Sequence, residues 1–140
     1  ITPDHIEHNI GISKDYNVFE FQKAIGQKDV LKANRIVNYF EHNNKEAPLV
    51  VIVSNLFSFF SNLLLVHSLK DLSQNSVASA LGISPFFVKD YISAKNHYPI
   101  MKVINIISLL REFDLKSKGI NSSSSEGQLL KELTFKILHS

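Results

Sequence analysis

Apolar residues recur at helical intervals along the chain, and stop signals separate the runs. Thr2-Pro3-Asp4 supplies a cap, a proline at the first helical position and an acid in the first turn. This predicts a short helix from residue 3 to residue 10, stopped by Gly11. Residues 12–16 form a connector. Asn17 and Glu20 have capping-box spacing, and Gly26 stands where a glycine would close a helix over 17–25 that buries Val18, Phe21 and Ile25. Asp29 caps a helix over 29–43, whose Val30, Ala33, Val37 and Phe40 make one apolar stripe, and the polar run from His42 to Glu46 ends it.

The most hydrophobic segment, Leu49 to Leu69, follows Pro48. Its polar members Ser54, Asn55, Ser58, Ser61 and Asn62 share one sector of a helix. The segment is long enough to span a bilayer. It is the only such segment, however, its polar residues form a stripe, and Lys45, Glu46, Lys70 and Asp71 flank it without a sign bias. The reading that fits is a helix buried on most of its circumference, with one small, polar face left wet or packed closely against a partner.

Further helices are expected at 74–81, closed by Gly82; from Ser84-Pro85 to about Asn96; from Pro99 onward; and over 126–138. The helix after Pro99 carries Ile100, Val103, Ile104, Ile107, Leu110 and Phe113 at helical spacing, and the last buries Leu129, Leu130, Leu133 and Ile137. The stretch 116–127, with Ser122 to Ser125 and two glycines, reads as a loop. No stretch alternates as a strand does, and there is no internal repeat. The pattern describes a single all-α domain of seven or eight helices.

Composition narrows the chemistry more than the fold. The 140 residues contain no cysteine, which excludes disulfides, thiol catalysis and thiolate metal sites. A net charge of +2 is too balanced to announce nucleic-acid binding, and five glycines and four prolines are too few for a turn-rich β fold. The chain opens on Ile1, which reads as a piece of a longer protein, and no signal peptide is apparent. His5 and His8 are helical neighbours beside Asp4 and Glu7, but no third strong ligand is near, so a solvated face is preferred to a metal site. The glycines are isolated, with no phosphate loop. Ser122 to Ser125 has no paired histidine, and Asp114 reads as a hydrogen-bonding residue at the end of the long helix. Nothing here points to an enzyme, and no cofactor or metal is expected.

Val77-Ala78-x-x-Leu81-Gly82-Ile83-Ser84-x-x-x-Val88-x-x-Tyr91 has helix-turn-helix spacing, with Ala78, Leu81, Ile83 and Val88 as its small core. A DNA reader needs polar side chains at the start of the second helix. That start is Ser84-Pro85-Phe86-Phe87, with Lys89 as its one early base, so a helix corner packed into a larger domain is the preferred reading. Lys28, Lys32 and Arg35 share a face that could meet phosphates but is better read as solvated. A helix-turn-helix DNA-binding regulatory domain is the alternative function, and steep loss of DNA affinity with salt would reveal it.

Taken in order, several segments resemble a known family. They are Ile10-Gly11-Ile12-Ser13-Lys14-Asp15-Tyr16-Asn17-Val18-Phe19-Glu20-Phe21, Lys28-Asp29, Ala33-x-x-Ile36, Pro48-Leu49-Val50, Leu56-Phe57 and Leu63-Leu64-Leu65. Leu81-Gly82-Ile83-Ser84-Pro85-Phe86-Phe87-Val88-Lys89, Leu110-x-x-x-Asp114-x-Lys116-x-Lys118-Gly119 and Leu129-Leu130-x-x-Leu133 complete the set. Together they resemble the delta subunit of bacterial DNA polymerase III over nearly the whole chain, and the Tyr16–Glu20 segment with the serine-rich loop resembles its Bacteroidetes branch. The resemblance implies the C-terminal helical collar domain at 17–140, with 1–16 as the end of the preceding small (lid) domain and its connector. It implies a non-catalytic, cytoplasmic part of the clamp loader, held against delta prime and gamma/tau. The sliding clamp and primed DNA would be met by the parent protein and complex. No family catalytic or clamp-binding motif falls on these residues. The expected partner surface is the polar-and-aromatic side of the Leu49–Leu69 helix: Ser54, Asn55, Phe57, Ser58, Ser61 and Asn62.

Overall fold

Three expected helix starts are made by the side chains named for them. Asn17 Oδ1 accepts from the Glu20 amide at 2.9 Å, Asp29 Oδ1 from the Lys32 amide at 3.2 Å, and Ser84 Oγ from the Phe86 amide at 3.3 Å. The computed structural model describes residues 15–43, 45–119 and 125–140. Across these run α1 (Val18–Gly26), α2 (Val30–His42), α3 (Leu49–Ser68), α4 (Gln74–Leu81), α5 (Val88–His97), α6 (Ile100–Ser117) and α7 (Glu126–Leu138), with a 3-10 turn at Pro85–Phe87. No strand occurs among the described residues, so the fold is all-α. The expected helix at residues 3–10, the His5/His8 pair and Ser122–Ser124 lie outside them.

α3 is the hub, packing against α6 most extensively and also against α1, α4 and α5, while α7 packs on α2 and α6. Ile52, Val53, Leu56, Phe59, Phe60, Leu63 and Val66 are buried along one side of α3. α3 is long and apolar enough to cross a membrane by length and composition, yet that side is buried against the domain's own helices. Phe60 meets Phe59 and Tyr98 edge-on at 5.3 Å each, and Phe59 stacks on Tyr91 at 4.8 Å. Pro48 offers no side-chain cap for α3; the first-turn amide of Leu49 instead donates to Glu126 Oε1 at 3.1 Å, which ties α3 to the start of α7.

Several local expectations are corrected. Gly26 is the last residue of α1, not a residue beyond it, and the left-handed position after the helix falls on Lys28 (φ 55°). What Gly26 provides is close approach: a Cβ there would stand 2.9 Å from Phe59 Cζ. That ring is held by Phe60 and Tyr91 and has little room to yield. Gly26→Ala is therefore expected to destabilise the fold by about 1–2 kcal/mol, overpacking outweighing the gain in helix propensity; urea unfolding measures it. Val30 is 37% exposed because it lies at the edge of the α2 stripe, which is centred on Ala33, Ile36, Val37 and Phe40. Val18 is half-buried, and the expected helix from Pro85 begins as a 3-10 turn that becomes α-helical at Val88.

The phase of α6 also differs. Its buried residues are Val103, Ile106, Leu110 and Phe113, whereas Ile100 and Ile104 are exposed. Ile104 lies about 140° around the helix from the centre of the buried stripe. Both faces of α6 are apolar, so the expected single stripe merged an inner face with an outer one.

Tyr98 is fully buried and donates its hydroxyl to the Ile25 carbonyl at 2.6 Å. Burial pushes its phenol well above the ordinary tyrosine range. Burial also raises Tyr91, with the Asp90 charge adding and the Asn62 hydrogen bond opposing. A raised folded-state value means this stabilisation is complete below the unfolded tyrosine value of about 10 and is lost as pH climbs above it. Stability is thus expected to fall above about pH 10 by up to about 1.4 kcal/mol per pH unit per tyrosine. Tyr98→Phe should show a shallower alkaline decline in urea midpoints measured at a series of pH values.

Candidate interaction surface

The polar residues of α3 do not act as one set. Ser54 and Ser58 are exposed and Ser61 is half-buried. Asn55 and Asn62 occupy the flank toward α5, where Asn62 Nδ2 donates to the Tyr91 hydroxyl at 3.1 Å and Asn55 Oδ1 is buried without a hydrogen-bond partner among the described residues. Phe57 lies on the opposite flank, half-buried beside α6, while Phe59 and Phe60 belong to the core. The expected surface therefore divides: Ser54 and Ser58 face outward, Phe57 lines the groove beside α6, and Asn62 is held by α5.

α3 and α6 run antiparallel. The start of α3 and the end of α6 line one groove, and at the other end His67 Nε2 donates to the Tyr98 carbonyl, just before α6, at 2.8 Å. Their outer sides consequently form a single two-helix face. Val51 and Leu65 from α3 and Ile100, Met101, Ile104 and Leu115 from α6 are all exposed on it. Met101 is 63% exposed and Leu65 41%. Ser54, Ser58 and Ser108 lie among them, and α3 contributes no Asp, Glu, Lys or Arg. Exposed apolar residues gathered on one face make it the candidate interaction surface. The groove at one end has a volume of about 460 Å³ and is lined by Val53, Ser54, Phe57, Ser58, Arg111, Asp114 and Leu115. Asp114 accepts from Lys118 Nζ at 3.0 Å, and α6 continues past it to Ser117.

The sequence pattern did not single out Val51, Leu65, Met101, Leu115 or Arg111, and it grouped Ile100 and Ile104 with Val103, Leu110 and Phe113. A usable signal was present: α6 carries more apolar residues than one stripe can hold.

The helix corner has the expected turn, with Gly82 at φ 67° and the Ile83 amide bonded to the Ala78 carbonyl at 3.1 Å. Ala78 and Val88 are buried, and Leu81 and Ile83 are half-buried. At the start of its second helix Phe86 is 63% exposed, and the Lys89 ammonium stands 4.6 Å from the centre of the Phe86 ring. Lys32 pairs with Glu20 at 2.8 Å, and Lys28 lies over the Tyr98 ring. Among the described residues no three His, Asp or Glu side chains gather as a metal site.

A family model described as DNA polymerase III delta subunit, C-terminal domain, matches residues 15–137, the span that begins just before the Asn17 cap and ends within α7. No curated protein and no solved structure matches the chain. An all-α domain with an apolar outer face, matched from its first described helix to its last, belongs to the family formed by the C-terminal domains of DNA polymerase III delta subunits.

Proposed function

We propose that this domain is a non-catalytic assembly module that holds the delta subunit in the clamp loader by seating the α3–α6 face on neighbouring subunits. In this reading the neighbours are delta prime and gamma/tau, and residues 17–140 are one unit of a helical collar that follows the end of a small lid domain. The sliding clamp and primed DNA are handled by the rest of the protein and complex during replication in the bacterial cytoplasm, and α3 acts as a core helix, not a membrane span.

The observation that carries the proposal is the outer face itself. Val51, Leu65, Ile100, Met101, Ile104 and Leu115 line two packed helices with serines between them, and such a surface gains most when covered by another apolar surface. Ser54, Ser58 and Ser61 let a partner backbone come close, and Phe57 adds aromatic area at the groove. Sedimentation velocity of the delta subunit mixed with delta prime and gamma/tau tests the proposal. A faster-sedimenting species is expected, and delta subunits that remain free at tens of micromolar would exclude it.

A further inference from the structure

We infer that Arg111 is the polar anchor of this face and takes a carboxylate from the neighbouring clamp-loader subunit, an inference that rests on the assembly reading above. Its guanidinium carbon stands 5.9 Å from the centre of the Phe57 ring, at the wall of the groove between α3 and α6. The other charges at this end of α6 are matched: Glu112 pairs with Lys116 at 3.1 Å and Asp114 with Lys118 at 3.0 Å. Arg111 has no ion-pair or hydrogen-bond partner among the described residues.

Its surroundings set what the partner must bring. Covering a guanidinium with an apolar surface strips its water and gives nothing back, so a partner that buries this face must supply an acceptor. A carboxylate fits best because it can meet the planar fork with two parallel hydrogen bonds, beside the aromatic face of Phe57. Ser54 and Ser58 leave the groove open for the incoming side chain, and Val53 and Leu115 give it apolar walls. The partner segment therefore brings an Asp or Glu flanked by aliphatic residues, the acid on Arg111 and the aliphatics on Leu115 and the groove wall.

Assembly of delta with delta prime and gamma/tau, measured as a dissociation constant at about 0.1 and 0.5 M salt, provides the test. Arg111→Gln should weaken assembly by about 30-fold or more and flatten its salt dependence; Arg111→Glu should weaken it further, and Arg111→Lys should recover part of the loss. Arg111 is exposed, so the melting temperature of each variant should match the parent. If Arg111→Glu assembles like the parent while Leu65→Asp does not, the anchor is overturned and the assembly face stands. If Arg111→Glu leaves assembly intact but weakens primed-DNA binding by the loader, the group on Arg111 is a phosphate and the anchor is likewise overturned. A parent protein that does not assemble removes both readings.

Discussion

Replacing Leu65 and Ile104 together with Asp is expected to weaken assembly of the delta subunit with its loader partners at least about 100-fold. Both side chains point outward, one from α3 and one from α6, and both are exposed in the free domain. Neither contributes to the core, so the thermal midpoint should move by no more than a few degrees. In a complex that covers this face, each new carboxylate would have to be buried in an apolar contact without a partner, and each such burial costs a few kcal/mol. Leu31→Asp is the matched control: Leu31 is more exposed than either, but it sits on α2, which packs on α1 and α7. It should assemble normally. Loss of assembly in the control, or none in the double variant, would place the interface elsewhere.

The largest effect on stability is expected at Phe60. The side chain is fully buried on α3 and stands edge-on to both Phe59 and Tyr98, at 90° and 88°. Truncation removes these contacts and leaves a cavity where α3 carries the whole domain. Tyr98, which also holds the end of α1 through the Ile25 carbonyl, loses one of its walls. Phe60→Ala should cost about 3–5 kcal/mol in urea unfolding, a large share of the roughly 5–15 kcal/mol typical of a domain. Phe57→Ala, on the same helix but half-buried at the surface, should cost no more than about half as much, while acting on assembly through the groove. Equal costs at the two positions would contradict the division of these rings between core and surface.

Much of the architecture was readable from local chemistry. Asn17, Asp29 and Ser84 cap as their side chains allow, and Gly82 adopts the left-handed turn for which a side chain would be strained. On α7 the expected Leu129, Leu130, Leu133 and Ile137 are buried, joined by Thr134 and Leu138. Spacing misled on α6, because periodicity assigns a phase only where one face is polar, and here Ile100, Met101, Ile104 and Leu115 compete with the core stripe. The bond between the Leu49 amide and Glu126 spans 77 residues, and no local pattern encodes it. Gly26 was misread for a related reason: its task is set by Phe59, which reaches it from another helix. The serines of α3 drew attention to that helix, whereas Arg111 and the exposed apolar residues of α6 stand out only once α3 and α6 are paired.

Met101 provides a built-in reporter, being the one methionine among the 140 residues and lying exposed in the first turn of α6, at one end of its outer face. Its oxidation can be followed by hydroxyl-radical footprinting and mass spectrometry on the peptide from Asn96 to Lys102, in the free delta subunit and in the assembled loader. Rapid oxidation is predicted in the free subunit and strong protection on assembly. Equal rates in the two states would show that the α3–α6 face stays open in the complex, contrary to the function proposed for it.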